Sequence, residues 1–377
     1  MAFSAHYRHP LSSRLIYALL GLAAFFYFVI AYGITVVYLR PNVLIACQND
    51  DLNIRDLLKS IYEDAYVYGK HQPNEEQDTR NETSSNLLLE SKTTSMPIID
   101  NIDLSTLPHT HEIIPPYVKL EEKMKAVHSH RLAACVIEKN MSTIITAIMC
   151  FLEDFVSFLH ANRTITSERW HTRFCRGKNE YGSVDAMLEK TKTVLEDWMI
   201  FTLVRDPLER LISAFTDKCI YNKEKKESIN CYGCHQDIEC FVRSVYNRTL
   251  TFAHIPSNQK HPYLMEDVHT FPQNWHCSFQ TRTNKMKIIK YYSEYSERDK
   301  TYVELVKVLQ ERGIHQDLIV YIVEQVTTGT TFHTTINSDE KKKARATILQ
   351  NSDLLDMVYS MYYHDYELFG FPKTYDK

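Results

Sequence analysis

Two kinds of hydrophobic pattern divide this chain. Leu15 to Leu39 is an apolar run of 25 residues with no charge, bounded by Arg14 and Arg40. At about 1.5 Å per residue it crosses a hydrocarbon core of roughly 30 Å with some tilt. A signal-peptide core is shorter, about 7–15 residues, so the run predicts a single transmembrane anchor. Residues 1–14 then form a cytoplasmic tail. From His71 to Met96 the chain is polar, rich in Ser, Thr, Asn and Glu, and without a sustained period; Pro97, Pro108, Pro115 and Pro116 follow. Residues 40–125 therefore read as a stem, with a short helix over 51–68. Beyond it short apolar runs alternate with helical stretches. Arg131 to Ile137, Trp198 to Val204 and Lys285 to Tyr292 read as strands. Helices are predicted over 142–160, 184–197, 207–217, 237–246, 302–312, 317–325, 338–349 and 352–366. That order predicts an α/β domain over residues 126–377, with a central parallel sheet flanked by helices.

Charge and cysteine content narrow the class. Lys plus Arg total 43 against 47 Asp plus Glu, for a net charge of −4. Proteins that grip nucleic acid carry a basic excess, so nucleic acid is not an expected partner. Flanking charge does not settle the anchor's orientation, but two other features favour a lumenal or extracellular body. Four N-x-[ST] sequons occur, at Asn81, Asn140, Asn162 and Asn247, and there are nine cysteines. Both suit an oxidising lumen, which makes the anchor a type II signal anchor with the body lumenal. Cys231-Tyr-Gly-Cys234, with Cys219 and Cys240 nearby, could be a zinc knuckle, but disulfides fit that compartment better. Cys175, Cys219, Cys231, Cys234, Cys240 and Cys277 are the expected bridge formers. Cys135, in a buried strand, and Cys150, in a buried helix, are expected to be free core thiols. Cys47, beside the anchor, could join two chains into a homodimer or have no such role.

Two strand-to-helix junctions carry chemistry. The first is Val136-Ile137-Glu138-Lys139-Asn140-Met141-Ser142-Thr143. The unpaired N–H groups of a helix start, with the helix dipole, attract an anion. Lys139 adds a mobile positive charge, and Ser142 or Thr143 can cap the helix and donate to an oxyanion. A plain lysine loop with a serine cap would look similar. The glycine-rich G-x-x-x-x-G-K-[ST] loop of nucleotide kinases is absent. The second junction is Val204-Arg205-Asp206-Pro207-Leu208-Glu209-Arg210-Leu211-Ile212-Ser213-Ala214-Phe215. Asp206 suits an N-cap and Pro207 the first helical position. Leu208, Leu211, Ile212 and Phe215 form the buried stripe, which leaves Arg210 and Ser213 on the opposite face. Arg205 and Ser213 suit a phosphate monoester; a structural cap with a surface arginine is the other reading. The basic run Lys341-Lys342-Lys343-Ala344-Arg345 could grip an acidic glycan or form a solvated helix face. Lys223, Lys225 and Lys226 have the same two readings.

These junctions resemble the signatures of sulfotransferases that use 3′-phosphoadenylyl sulfate. VRDPLERLISAF is similar to the RDPxxRxxSxF pattern of Golgi carbohydrate sulfotransferases of the chondroitin 4-O- and HNK-1-type family. The spacing of about sixty residues between junctions, His269 to Cys277 (HTFPQNWHC) and Asp356 to Phe371 (DMVYSMYYHDYELFGF) also resemble that family. The resemblance covers roughly Arg131 to Phe371. It implies a P-loop-like sulfotransferase fold behind the anchor, in the Golgi membrane, and a glycan or proteoglycan acceptor. It implies that Lys139, Ser142 and Thr143 hold the 5′-phosphosulfate and that Arg205 and Ser213 hold the 3′-phosphate. No metal is required by this chemistry. Candidate general bases are His269, His171 and Glu168, with His269 preferred. The family's proline before the lysine is Glu138 here, and Asn140 and Met141 replace small residues. That departure leaves a second possibility, a catalytically inactive lumenal binding protein of the same fold. A glycan at Asn140 would block the donor, so that sequon is expected to be unused.

Overall fold

The chain's computed structural model describes residues 101–221, 230–256, 262–294, 297–328 and 339–376. The predicted tail, anchor and first part of the stem lie outside the described residues. So do Cys47, the Asn81 sequon and the basic residues 223–226. Among the described residues no helix is long and apolar enough to cross a membrane.

Seven short strands form two sheets among these residues. β1 (Asn101–Asp103) pairs antiparallel with β7 (Thr374–Asp376). The central sheet holds β2 (Met124–Val127), β3 (Leu132–Cys135), β4 (Glu180–Tyr181), β5 (Met199–Arg205) and β6 (Met286–Tyr291), in the order β4-β2-β3-β5-β6. β3, β5 and β6 run parallel, whereas β2 is antiparallel to both of its neighbours. The sheet is therefore mixed, which corrects the expectation of an all-parallel one. β2 escaped the pattern because its second residue is Lys125, 3 % exposed and paired with Glu180 at 2.9 Å. A buried lysine in a four-residue strand conceals the apolar signal.

Residues alternate between faces along each strand. Ala133, Cys135, Ile200 and Val204 join one apolar cluster, while Leu132, Ala134, Phe201 and Leu203 join another. Both faces are covered, as parallel strands require. The second cluster includes α1 (Ser142–Glu153), and the stretch predicted as one helix over 142–160 breaks after it. Asp154, at φ −152°, accepts from the Ser157 N–H at 3.0 Å and starts α2 (Phe155–His160). The next predicted helix is shorter than expected: α3 (Val184–Thr191) ends at Lys192, which is left-handed at φ 54°. The first cluster includes α4 (Pro207–Phe215) and α5 (Ile238–Ala253).

Part of the expected stem belongs to the folded domain. Leu104 and Ile114 are buried in the first cluster, and the Thr110 N–H donates to Asp356 Oδ2 at 2.7 Å. The cysteine expectation also needs correction. The disulfides are Cys135–Cys277, Cys150–Cys175, Cys219–Cys231 and Cys234–Cys240. Cys135 and Cys150 are thus bonded, not free. Their partners approach from loops distant in sequence, which an apolar run cannot announce. Cys135–Cys277 spans 142 residues. A loop of that length gives a chain-entropy stabilisation of about 5 kcal/mol.

Candidate functional site

The lysine turn leaves the carboxyl end of β3 and enters α1. Lys139 and Met141 both have left-handed backbones, φ 68° and φ 57°. Each such non-glycine residue costs roughly 1–2 kcal/mol, so the turn must be held by hydrogen bonds. Asn140 does this from within: its Nδ2 donates to the Leu203 carbonyl at 2.9 Å and to Gln273 Oε1 at 2.7 Å. Arg210 Nε donates to the Glu138 carbonyl at 3.0 Å, and Arg205 Nη1 to the Lys139 carbonyl at 3.1 Å. The N-cap of α1 is Met141, which has no capping side chain. Ser142 and Thr143 are the first helical residues, so the expectation that one of them caps the helix fails. The first helical bond runs from the Ile145 N–H to the Met141 carbonyl at 2.9 Å. The earlier N–H groups are those that ordinarily find a ligand, water or side chain. Glu138 forms an ion pair with Lys123, which neutralises the carboxylate beside the turn.

The arginine turn leaves the carboxyl end of β5 and enters α4. Asp206 caps the helix, its Oδ1 accepting from the Glu209 N–H at 2.9 Å, and its Oδ2 accepts from the Tyr375 hydroxyl at 2.8 Å. Burial pushes its carboxyl up to about 6. Arg205 is 5 % exposed and stacks over Tyr291 at 5.2 Å, and its Nε is buried without a hydrogen-bond partner. The predicted opposite face of α4 is not a surface. Arg210 is 1 % exposed, and its guanidinium also donates to the Phe271 carbonyl at 2.7 Å. Ser213, also buried, lies one turn beyond Arg210 and one turn before Asp217. Arg210, on the same side of α4, reaches the lysine turn through the Glu138 carbonyl. The basic run beyond residue 340 has a structural part. Lys341 and Arg345, on α10 (Asp339–Gln350), pair with Glu209 at 2.6 and 2.8 Å.

A third segment locks the two turns together. Gln273 Oε1 accepts from the Arg205 N–H at 2.9 Å as well as from Asn140, while its Nε2 donates to the Arg205 carbonyl at 2.8 Å. Asp365, on α11 (Ser352–Phe369), is fully buried. Its carboxylate accepts from the backbone N–H groups of Gln273 and Asn274 at 2.7 and 2.8 Å. Gln273 was not singled out from sequence; it lies inside the His269–Cys277 segment with nothing in its neighbours to mark it. Asp217 was also missed. It lies in a π-type turn, Thr216–Tyr221, that extends α4, and its Oδ2 is 3.0 Å from Lys139 Nζ.

His269 belongs to the same region. It lies on α6 (Met265–Thr270), with its Nδ1 2.6 Å from the Met265 carbonyl. Burial, then Lys218 and Lys139, hold its imidazole well below the usual range and therefore neutral. A proton on Nδ1, shared with that carbonyl, leaves a lone pair on Nε2. The other base candidates are placed differently. Glu168 accepts from Arg163 at 3.0 Å and from the Phe174 N–H at 2.8 Å, so both of its oxygens are occupied. His171 is exposed on the turn Trp170–Thr172.

A lysine ammonium, the start of a helix and a buried arginine with an orphaned Nε fit a ligand with two anionic ends. A sheet whose parallel strands end in such turns suits an α/β protein that handles anions. The chain matches the profile of the Sulfotransferase family over residues 123–372, and it belongs to that family. It is 28 % identical over 264 residues to the carbohydrate sulfotransferase chst-1 of Caenorhabditis elegans, covering 70 % of this chain and 79 % of that one. The putative sulfotransferase vep-2 of the same worm is 30 % identical over 232 residues, 60 % of this chain and 70 % of that one. No solved structure matches the chain.

Proposed function

We propose that the protein transfers a sulfuryl group from 3′-phosphoadenylyl sulfate to a carbohydrate hydroxyl, as a single-pass type II protein of the Golgi membrane with its catalytic domain in the lumen. The observation that carries this reading is the bond from Arg205 to the Lys139 carbonyl, which sets the two cationic turns side by side. Lys139, Ser142 and Thr143 would hold the 5′-phosphosulfate. Arg205, through its free Nε, and Ser213 would hold the 3′-phosphate. The donor supplies an activated sulfur: an acceptor hydroxyl attacks it, the bond to the phosphate oxygen breaks, and adenosine 3′,5′-bisphosphate leaves. Lys139 would neutralise charge growing on that oxygen, and His269 Nε2 would take the hydroxyl proton. The carbohydrate acceptor is supported by the name of chst-1. The lumenal setting is supported by the apolar run 15–39, the disulfides and the exposed sequons at Asn162 and Asn247. Lys123 neutralises Glu138, which weakens the case for an inactive binding protein.

The test is binding of adenosine 3′,5′-bisphosphate to the purified protein, followed by transfer of labelled sulfate to a glycan panel. Lys139→Met should cut turnover at least ~100-fold, and Arg205→Ala should abolish bisphosphate binding. Binding without transfer to any acceptor would favour the inactive alternative. No binding by the wild type would remove the donor assignment.

A further inference from the structure

Asp217 has no place in the donor-binding reading on which this inference rests, yet it touches that reading's central cation. It stands 3.0 Å from Lys139 Nζ and 3.2 Å from Lys218 Nζ, with its side chain and that of Lys139 each 13 % exposed. Both partners come from unusual backbone. Lys139 is left-handed, and Asp217 lies in a widened turn of a kind found frequently at functional sites. A carboxylate inside an anion cradle repels the ligand, so its presence needs a compensating role.

We infer that Asp217 is the positioning residue for Lys139: it keeps the ammonium charged and turned toward α4 while no donor is bound, and yields it to the phosphosulfate when the donor arrives. Lys218 then stays behind to neutralise the carboxylate, so the exchange strands no charge. Among the described residues, the charged or titratable groups that face Lys139 are Asp217 and Lys218 from the widened turn, Arg205 from β5 and His269 from α6. Burial pulls the lysine down to about 8, and Asp217 is the group that opposes this. Despite its own burial, Asp217 is held at about 2 by the two lysines, so it stays ionised at every physiological pH.

Asp217→Asn keeps the shape and removes the charge. An opposite charge at this distance is worth about 1–3 pH units to its partner, so Lys139 in the variant should deprotonate near or below pH 7. The probe is adenosine 3′,5′-bisphosphate, with affinity measured at pH 6 and pH 8 on full-length protein. The bisphosphate itself gains charge over this range, so the variant is read against the wild type: affinity lost between pH 6 and pH 8 should be about fivefold or more greater in Asp217→Asn. Asp217→Glu should restore the wild-type ratio. A thermal melt checks that both variants are folded. A merely structural aspartate would change stability without changing that ratio. Binding with the same pH dependence in Asp217→Asn and wild type would overturn the inference while leaving the donor reading intact. Absence of binding by the wild type would overturn both.

Discussion

Replacing Gln273 with leucine tests whether the two turns form one unit. The side chain is fully buried and of similar size to leucine, so the change is chemical more than steric. It removes the acceptor of the Arg205 N–H and the donor to the Arg205 carbonyl, both buried at the end of β5. Asn140 loses one partner but keeps the Leu203 carbonyl. Two orphaned backbone groups cost about 1–3 kcal/mol each, and the better burial of leucine returns about 1 kcal/mol. The net is a loss of about 3 kcal/mol. At about 2–4 °C per kcal/mol for a domain of this size, the melting temperature should fall by about 6–12 °C. Bisphosphate affinity, measured well below that melt, should fall as well, because Arg205 and the lysine turn lose their common anchor. Calorimetric melting and titration calorimetry read the two effects. A fall of less than about 2 °C with wild-type affinity would refute the idea that Gln273 ties the turns.

Three further outcomes follow from the same structure. Asp206 binds its proton more tightly when folded, about 6 against an ordinary 3.8. Its contribution is therefore favourable at acid pH and is lost as pH rises toward 6. Asp206→Asn should gain stability relative to wild type by about 1–3 kcal/mol between pH 4 and pH 7 in urea titrations; an equal difference at both pH values would contradict the assignment. Removing the Cys135–Cys277 pair as a double alanine variant should cost about 5 kcal/mol, and removing Cys234–Cys240, which spans only 6 residues, about 2 kcal/mol. The reverse order in denaturant melts would show that chain entropy is not the source. Asn140 is 1 % exposed with its amide nitrogen bonded twice, whereas Asn162 is exposed on the turn after α2. Glycopeptide mass spectrometry of active protein made in a secretory host should find Asn162 occupied and Asn140 bare. A glycan at Asn140 on active protein would contradict the burial described.

Much of the fold was legible because strands such as Trp198–Val204 are buried on both faces and read as continuous apolar runs. The arginine turn was also legible, since Asp206 and Pro207 occupy their expected cap positions. What remained hidden has specific causes. β2 conceals a buried lysine whose partner Glu180 is 55 residues away in sequence. The disulfides of Cys135 and Cys150 depend on which loops return to the sheet. Arg210 looked like a surface residue because helical periodicity assigns one wet face, yet α4 is enclosed and its guanidinium satisfies backbone carbonyls. Lys139 was legible as a cation, but Asp217 was not legible as its partner. The turn after Phe215 sets that carboxylate beside a lysine remote in sequence.

The pairing of β1 with β7 has a practical consequence for anyone cutting this chain. A truncation placed at residue 125, where the polar stem was expected to end, would discard β1, Leu104 and Ile114 together. β7 would lose its only strand partner among the described residues, and Tyr375, the residue of β7 that bonds the cap of the arginine helix, would keep its side-chain bond to Tyr366 but lose the ladder that holds its backbone. Fragments intended for crystallography should retain everything from Asn101 onward, because a shorter one would loosen the arginine turn from a point remote in sequence.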